Sequence, residues 1–362
     1  MSRRGENIYK RKDGRWEGRY ITGYGENGKA IYKSVYSHSY AEVREKLKKI
    51  RSECRELSVC REKFSDYAEQ WLDGVRIGCK ISTYCKYSNV YRLHIMPVLG
   101  DCQIGKIERS HIRRIIEGCD GLAPKTVSDI LCVVKMIIDY IEKCGVPVRI
   151  CMNGLNVRQD YKHMRVLDYA EQKRFSDVLM KETDLKKLGV YLALCTGIRI
   201  GELCALKREN ISFEEGVLSV RETLQRVQLE NGSRKTVVII SEPKSRSSVR
   251  DIPMPHFLTE LCREYYGSLS ASDYLLTGTT GYMEPRLLQY HFKKYIKESG
   301  IDDMNFHTLR HTFATRCVEN NFEIRTLSEI LGHISVNITL NRYVHSSVEL
   351  KRTNMEKLSN IF

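Results

Sequence analysis

The segment His307-Thr308-Leu309-Arg310-His311 carries the densest group of reactive side chains in the chain. On a predicted helix, a spacing of three places His307 and Arg310 on one face, where an imidazole and a guanidinium can bind the same anion. His307 and His311 are four residues apart, as in a zinc-binding pair. However, Thr308 occupies the position at which the zinc pattern requires glutamate. The segment therefore predicts an anion site rather than a metal site.

Two more segments of similar character lie upstream and downstream of this helix. Upstream, Thr196-Gly197-Ile198-Arg199-Ile200-Gly201-Glu202-Leu203 places an arginine between two glycines, just after an apolar predicted helix. Such a tight turn could direct the Arg199 side chain into a cleft. Downstream, Leu331-Gly332-His333 ends a short predicted helix, and the segment Thr339–His345, which contains Tyr343, follows it. The three segments could supply arginine, histidine and tyrosine side chains to one site.

The order of these segments resembles that of the tyrosine recombinase family. The catalytic domain of that family carries an arginine in a T-G-x-R-x-G-E-L segment, a β-hairpin lysine, an H-x-x-R box, an L-G-H box and a C-terminal tyrosine. Each has a counterpart here, in the same order, and the run Glu242-Pro243-Lys244-Ser245 contains that of the lysine. Three other basic residues share the hairpin region, namely Lys235, Arg246 and Arg250. By this resemblance the catalytic residues are Arg199, Lys244, His307, Arg310, His333 and Tyr343.

The implied reaction is attack of a tyrosine hydroxyl on a phosphodiester of DNA. Charge grows on the nonbridging oxygens in its transition state, and the two arginines of the set can each donate paired hydrogen bonds to them. Tyr343 is a poor nucleophile near neutral pH, so it needs a proton acceptor, for which His307 is the first choice. Lys244 is expected to protonate the leaving 5′ oxygen, and His333 to donate to a nonbridging oxygen. The set needs neither a metal nor a nucleotide cofactor.

Three polar residues lie beside this set without belonging to it. Glu202 is expected to anchor its helix or to orient a basic neighbour. His311 could support the site from behind or be a packed helix histidine, and both interpretations stay open. His345 could be an ordinary solvated residue.

The composition is that of a folded protein of several domains. The chain has 362 residues, of which 42% are hydrophobic and 29% charged, so about two or three domains are expected. No apolar run approaches the roughly 18 residues that span a bilayer, and no apolar stretch follows the basic N-terminus, which predicts a cytoplasmic protein. The 13 cysteines form no C-x-x-C pair, which favours free thiols. The net charge of +14 favours a polyanionic partner, most commonly nucleic acid.

The first segment, residues 1–58, predicts a small sheet covered by a helix. Three stretches rich in aromatic and β-branched residues, Ile8–Lys10, Trp16–Thr22 and Lys29–Tyr36, are separated by turn signals, and Tyr40–Glu56 has helical periodicity. This segment holds 15 Lys or Arg against 8 Asp or Glu. One sheet face could enter a DNA groove, and an ordinary solvated face is the alternative. The residues of that face are predicted to be Arg15, Arg19, Tyr20, Lys29, Tyr32 and Lys33.

The second segment, residues 62–148, predicts a helical domain. Apolar residues three and four apart indicate four helices, Phe64–Val75, Thr83–Ile95, Ser110–Gly118 and Lys125–Cys144. The second helix carries a basic face that could contact phosphates, although such a face is more often simply solvated. Its residues are Lys80, Tyr84, Lys86, Tyr87 and Arg92.

A linker, Gly145–Tyr161, leads to the third segment, residues 164–362. This segment is predicted to be mostly helical, with strands at Val217–Leu229, Lys235–Ile240 and Val249–Pro253 and a hairpin turn at Glu230–Ser233. The fold class is therefore mainly α with small β elements. By the resemblance, the three segments are an N-terminal arm-type DNA-binding domain, a core-binding helical (SAM-like) domain and a mixed α/β catalytic domain.

The resemblance implies a metal-independent integrase of a phage or conjugative transposon. Such an enzyme integrates and excises its element through a 3′-phosphotyrosyl intermediate. Its expected partners are double-stranded DNA at core and arm sites, three further copies of the chain in a homotetramer, and an excisionase or DNA-bending accessory factor. The alternatives are a type IB topoisomerase, a chromosome-dimer resolvase and a DNA-binding regulator that keeps the fold without cleavage. The separate basic N-terminal segment favours the integrase.

Overall fold

The structure is a computed structural model. It describes residues 7–24, 30–59, 62–146, 148, 164–228, 236–243, 246–343 and 355–356, with only the backbone at 22–24, 30–31, 51–59, 228 and 246. The described chain divides into two compact units, one built from residues up to 161 and the other from residue 162 onward. Most of the predicted linker Gly145–Tyr161 lies outside the described residues.

The first unit begins with a sheet covered by a helix, which confirms the sequence prediction. Strands β1 (Ile8–Lys10), β2 (Trp16–Tyr24) and β3 (Ala30–Ser37) are antiparallel in the order β1-β2-β3, and α1 (Tyr40–Val59) packs on them. Alternate residues of a strand face opposite sides, so one side of β2 contributes apolar contacts to α1. A small core of Ile8, Val43 and Leu47 holds sheet and helix together.

Two residues of this sheet lie on the opposite face from the one that the sequence predicts. Tyr20 packs against the core beneath α1, and Lys33 is its directly opposite partner on β3, so both lie on the helix side. The prediction that they share the open face with Arg15 and Arg19 is therefore wrong, because it combined residues of both parities along the strands. Arg15 and Arg19 do lie on the open face, where each guanidinium stands over a tyrosine ring. Lys29 lies outside the described residues.

A buried carboxylate organises the open face. Glu17 is 3% exposed and accepts hydrogen bonds from Arg11 Nη1 at 2.9 Å, Arg19 Nε at 3.0 Å and Ser34 Oγ at 2.7 Å. The Ser34 hydrogen bond and the two arginines lower the pKa of Glu17 to about 2. Glu17 is therefore ionised at neutral pH and fixes both guanidiniums on the sheet while their outer edges stay open to solvent.

The remainder of the first unit is helical. Its helices are α2 (Phe64–Gly78), α3 (Ile81–Val90), α4 (Met96–Leu99), α5 (Arg109–Glu117) and α6 (Pro124–Lys143). A π-helical turn, Tyr91–Ile95, joins α3 to α4, so the predicted second helix is continuous but irregular. Tyr84 is buried rather than on the predicted basic face. Lys86 donates to Asp129 of α6 at 2.9 Å, while Lys80 and Arg92 are exposed.

The second unit is built on a buried helix. Leu188, Val190, Leu192 and Ala193 of that helix lie at the centre of the core. The helix His307–Glu319, which carries the H-x-x-R box, packs against this buried helix and against the two helices Ile324–Leu331 and Val336–Tyr343. This packing brings the segments with the predicted catalytic residues together. The helices are α7 (Tyr169–Met180), α8 (Leu185–Thr196), α9 (Ile200–Ala205), α10 (His256–Tyr266), α11 (Pro285–Glu298), α12 (His307–Glu319), α13 (Ile324–Leu331) and α14 (Val336–Tyr343).

The strands of this unit form two small sheets. The predicted single strand Val217–Leu229 is interrupted at Arg221 and Glu222, so its halves pair in different sheets. Arg221 donates to the backbone oxygen of Arg250 at 3.0 Å and holds the chain at the switch. The predicted turn Glu230–Ser233 lies outside the described residues. One sheet contains β4 (Ile211–Ser212), β5 (Val217–Val220) and β8 (Arg250–Pro253), and the other β6 (Thr223–Gln228) and β7 (Thr236–Ser241).

Three general features can be stated for the described part of the chain. No helix in it is long and apolar enough to cross a membrane. No group of three or more His, Cys, Asp or Glu side chains within these ranges could hold a metal ion. Ten cysteines in these ranges are free thiols.

Candidate active site

Arg310 joins three separate segments of the second unit. The side chain lies on α12 and is 2% exposed. Its Nη1 donates to the backbone oxygen of Gly197 at 2.8 Å, and its Nη2 donates to that of Leu331 at 2.6 Å. Burial and the neighbouring charge of Arg199 lower the pKa of Arg310 to about 9, which leaves it charged at neutral pH. The H-x-x-R arginine therefore fixes the positions of the T-G-x-R turn and the L-G-H turn.

The C-terminal end of α13 is capped by arginines. The last carbonyls of a helix have no partner within the helix and carry the negative end of its dipole, so cations stabilise them. Here three successive carbonyls each accept from a different guanidinium. The pairs are Ile330 with Arg250 at 2.5 Å, Leu331 with Arg310 at 2.6 Å and Gly332 with Arg199 at 3.3 Å.

Two glycines permit these close approaches. Gly197 ends α8 with φ 66° and Gly332 ends α13 with φ 64°, a left-handed conformation that favours glycine. A Cβ at Gly197 would lie 2.6 Å from a ring carbon of Phe313, and one at Gly332 would lie 3.0 Å from the backbone oxygen of Ser247. The glycines of the two boxes are thus required by backbone conformation and by space.

Glu202 is the anionic centre of the arginine group. It is 2% exposed, and its carboxylate accepts from Arg199 Nη1 at 2.6 Å and from Arg250 Nη2 at 2.9 Å. Burial alone would raise the pKa of Glu202, but the hydrogen bond and charge of Arg250 and the charge of Arg199 outweigh it and lower the pKa. The expectation that Glu202 orients a basic neighbour is confirmed for two arginines.

Tyr343 lies at the end of α14 with its hydroxyl inside the site. Its ring is 7% exposed and packs with Ala314 and Cys317 of α12 and with Leu331. The hydroxyl oxygen lies 2.8 Å from Nδ1 of His311. Burial raises the pKa of Tyr343, although the positive charges of nearby arginines oppose this. The partner of the hydroxyl is therefore His311 rather than His307, which the sequence favours as its proton acceptor.

His307 and His333 line the same site as neutral imidazoles. Desolvation and neighbouring positive groups lower the pKa of His307 to about 4 and that of His333 to about 3. His307 is exposed on one side, and its ring packs edge-to-face against that of His311 with centroids 4.6 Å apart. His333 Nδ1 lies 2.8 Å from the hydroxyl of Thr339, which is fully buried. The second nitrogen of His333 is then left to address a ligand.

The structure brings five of the six predicted catalytic residues into one site: Arg199, His307, Arg310, His333 and Tyr343. The sixth, Lys244, lies outside the described residues. Arg250, one of the alternative basic residues of the hairpin region, is buried, and its guanidinium is paired with the carboxylate of Glu202. His311 is the contact that sequence reasoning did not assign. Its only signal is its place directly after Arg310 and one helical turn from His307.

The arrangement suits transfer of a phosphoryl group to a tyrosine hydroxyl. The hydroxyl of Tyr343 contacts His311, and the guanidiniums of Arg199 and Arg310 and the imidazoles of His307 and His333 belong to the same site, so an anion bound there would have its charge neutralised in a partly desolvated cleft. This is the class of chemistry that the fold and the site define.

Comparison with known proteins identifies the family. Residues 165–349 match the phage integrase family, and residues 63–118 match the N-terminal SAM-like domain of phage integrases. The first match covers half of the chain, and this protein belongs to the phage integrase family of tyrosine recombinases.

Individual relatives extend the likeness to nearly the whole chain. A tyrosine recombinase XerC-like protein of Caldanaerobacter subterraneus is 29% identical, with 94% of each chain covered. The transposase from transposon Tn916 of Enterococcus faecalis is 23% identical over 96% of this chain and 94% of that protein. The integrase of transposon Tn1549, solved with transposon right-end DNA, is 22% identical and covers 82% of this chain and 100% of its own, with a TM-score of 0.67. That structure supports the fold.

Proposed function

We propose that this protein is a site-specific DNA recombinase that integrates and excises a mobile genetic element. The observation that carries the proposal is the placement of the Tyr343 hydroxyl beside Arg310, Arg199 and three histidines in one site. Membership of the phage integrase family and likeness to transposon recombinases support it. Tyr343 is the nucleophile, and the product of its attack is a 3′-phosphotyrosyl bond.

Each catalytic residue has a role that follows from its chemistry. Arg199 and Arg310 hold the scissile phosphate through guanidinium N–H groups that their structural bonds leave over, since a guanidinium has five donors. His307 and His333 donate to the nonbridging oxygens, on which charge develops. Lys244 protonates the leaving 5′ oxygen. The phosphotyrosyl bond conserves the free energy of the broken phosphodiester, so that a 5′ hydroxyl of another strand can reverse the step.

Nucleophile and phosphate-binding residues come from the same chain. Tyr343 packs on α12, which also carries His307, Arg310 and His311. A subunit with this arrangement cleaves the strand that its own arginines hold. Exchange between two duplexes requires four strand cleavages, so we propose that four copies assemble on the two DNA sites.

The domain arrangement that we propose follows the sequence. Residues 1–58 bind arm-type DNA sites through the open sheet face, residues 62–148 bind the core site, and residues 164–362 carry out strand cleavage and transfer. Family similarity at residues 63–118 and 165–349 supports the second and third assignments. The exposed arginines and tyrosines of the sheet support the first.

A recombination assay separates this function from its rivals. One plasmid carries the joined ends of the mobile element that encodes the protein, and a second carries the vacant target site. We expect recombinant plasmids only when both sites are present. Relaxation of supercoiled plasmid that carries neither site would indicate a topoisomerase instead. Specific binding without any strand cleavage would indicate a DNA-binding regulator.

A further inference from the structure

We propose that His311 is a catalytic residue that accepts the hydroxyl proton of Tyr343 during attack on the phosphate. This inference rests on the proposed function and assigns one step of it. His311 Nδ1 is the imidazole nitrogen that the structure places at hydrogen-bond distance from the nucleophilic oxygen, at 2.8 Å. His307 contacts His311 instead, ring edge to ring face.

The proposed step uses this hydrogen bond in one direction, with the Tyr343 hydroxyl as the donor and His311 as the acceptor. Burial raises the pKa of Tyr343, and the positive charges of Arg310 and Arg342 oppose this effect. A neutral phenol has an O–H to donate, and Nδ1 of His311 lies in position to receive it. His311 is then the Nε2–H tautomer, with Nδ1 as the acceptor.

His311 is available as an acceptor because it is neutral. Desolvation and the positive charges of Arg342 and Arg310 lower the pKa of His311 to about 4. The charged and titratable groups around it are His307 and Arg310 on α12 and Tyr343 and Arg342 on α14. The two arginines are positively charged and disfavour protonation of His311, whereas His307 and Tyr343 are neutral. His311 is therefore unprotonated before DNA binds. The bound phosphate adds a negative charge to the site, which favours the protonated imidazole during the reaction.

The proton and electron balance of the step is complete. The O–H bond of Tyr343 breaks, its proton bonds to Nδ1 of His311, and its electron pair remains on the oxygen that attacks phosphorus. The P–O5′ bond then breaks with its electron pair on the 5′ oxygen, which takes a proton from the acid that we assign to Lys244. When a 5′ hydroxyl attacks the phosphotyrosine, both protons return. His311 therefore serves as base in cleavage and as acid in religation.

This assignment gives the two neighbouring histidines different roles. His307 has an exposed side that can reach the phosphate, whereas His311 is 8% exposed and faces the nucleophile. The pair His311→Asn and His307→Asn is therefore a matched comparison on one helix. An asparagine at position 311 can keep a hydrogen bond to the hydroxyl, but it cannot hold the proton.

The experiment measures single-turnover cleavage of a duplex with sulfur in place of the 5′ bridging oxygen at the mapped cleavage position. A thiolate leaves without an acid, so the pH profile reports deprotonation of the nucleophile alone. We expect the wild-type rate to be flat from pH 6 to 9. The His311→Asn rate should be about 10² to 10⁴ times lower and should rise with pH, because solvent must take the proton. His307→Asn should keep the flat profile even where its rate is reduced.

Chemical rescue protects the test against a misfolded variant. His311→Ala leaves space beside the hydroxyl, and added imidazole should restore its cleavage rate at least tenfold without changing DNA affinity. Two results would overturn the proposal: a His311→Asn enzyme with the wild-type rate and profile, or a His307→Asn enzyme that alone acquires the rising profile. If the wild-type protein forms no covalent adduct with this substrate, the proposed function fails and this step fails with it.

Discussion

Arg310 donates from Nη2 to the backbone oxygen of Leu331 at 2.6 Å, so one catalytic guanidinium is also a structural part of the helix end that presents His333. Its other terminal nitrogen donates to the oxygen of Gly197. Arg310 thus holds the turn at Gly197 and the end of α13 in position through two buried hydrogen bonds. Substitution of Arg310 should change stability and catalysis together.

Arg310→Lys is expected to lower the rate of DNA cleavage by about 10² to 10³, since a lysine cannot donate paired hydrogen bonds to a phosphate. It should also lower the free energy of unfolding by about 2 kcal/mol, because one of the two buried carbonyls loses its donor. Urea unfolding and single-turnover cleavage measure the two effects. The matched control is Arg325→Lys on α13, whose side chain is 76% exposed and pairs with Glu329. Equal behaviour of the two variants would contradict the structural role of Arg310.

Glu202→Gln is expected to destabilise the second unit. Glu202 bonds two arginines at 2% exposure, and removal of one partner from a buried ion pair costs about 3 kcal/mol or more. The variant should also lower cleavage, because Arg199 loses its anchor. Glu329→Gln, at an exposed position of α13, serves as the control and should have little effect on either measurement.

The pH dependence of stability follows from the same carboxylate. The folded pKa of Glu202 lies below its ordinary value of 4.5. Its contribution is therefore present above the unfolded pKa and is lost as pH falls through the folded pKa. Wild type and Glu202→Gln should differ in melting temperature at pH 7, and the difference should narrow as the pH is lowered below 4.5. A difference that stays constant down to the acid transition would contradict ionisation of Glu202 as its source.

Arg19→Gln should weaken binding of arm-type DNA, because Arg19 lies on the open sheet face and is half exposed. Loss of one phosphate contact lowers the slope of log affinity against log salt by about 1. Lys33→Gln removes the same charge from the helix side of the sheet and should leave that slope nearly unchanged. Fluorescence anisotropy at several salt concentrations compares the two. A larger effect of Lys33→Gln would place DNA on the other face.

Thr339→Val should reduce cleavage about tenfold through His333. The Thr339 hydroxyl lies 2.8 Å from Nδ1 of His333 and can fix the tautomer that presents Nε2–H to the phosphate. Valine has nearly the same shape without the hydroxyl, whereas Thr339→Ser retains it and should restore the rate. DNA affinity should be the same in all three proteins. If serine fails to rescue, packing of the methyl group rather than the hydrogen bond is responsible.

Sequence reasoning located the site because its chemistry depends on residue type and local spacing. The boxes around Arg199 and His333 lie in short segments whose turns need glycine, and those around His307 and Tyr343 have a distinctive residue spacing, so each leaves a local signal. The contacts that assemble the site are long-range and leave no such signal. Arg250 reaches Glu202 and the end of α13 across the fold, and no feature of the hairpin sequence distinguishes it as structural.

The fold shows the same division between local and long-range information. Helices and the N-terminal sheet follow periodicity and turn residues, and their predicted bounds are close to those observed. The parity of β2 could not be predicted, because Tyr20 and Arg19 are equally compatible with either face until α1 is placed. The break of Val217–Leu229 at Arg221 depends on the partner strand Arg250–Pro253, which lies beyond the hairpin. His311 was likewise ambiguous until α14 placed Tyr343 against it.

Detection of a covalent intermediate decides whether Tyr343 is the nucleophile. The purified protein is incubated with a nicked duplex that carries a terminus of its mobile element, and the products are separated on a denaturing gel beside those of Tyr343→Phe. Phenylalanine keeps the buried ring and removes only the hydroxyl, so the variant should fold and bind DNA. We predict a DNA-linked protein species for the wild type and none for Tyr343→Phe. An adduct in both proteins, or in neither while DNA binding is intact, would contradict the assignment of Tyr343 as the nucleophile of a recombinase.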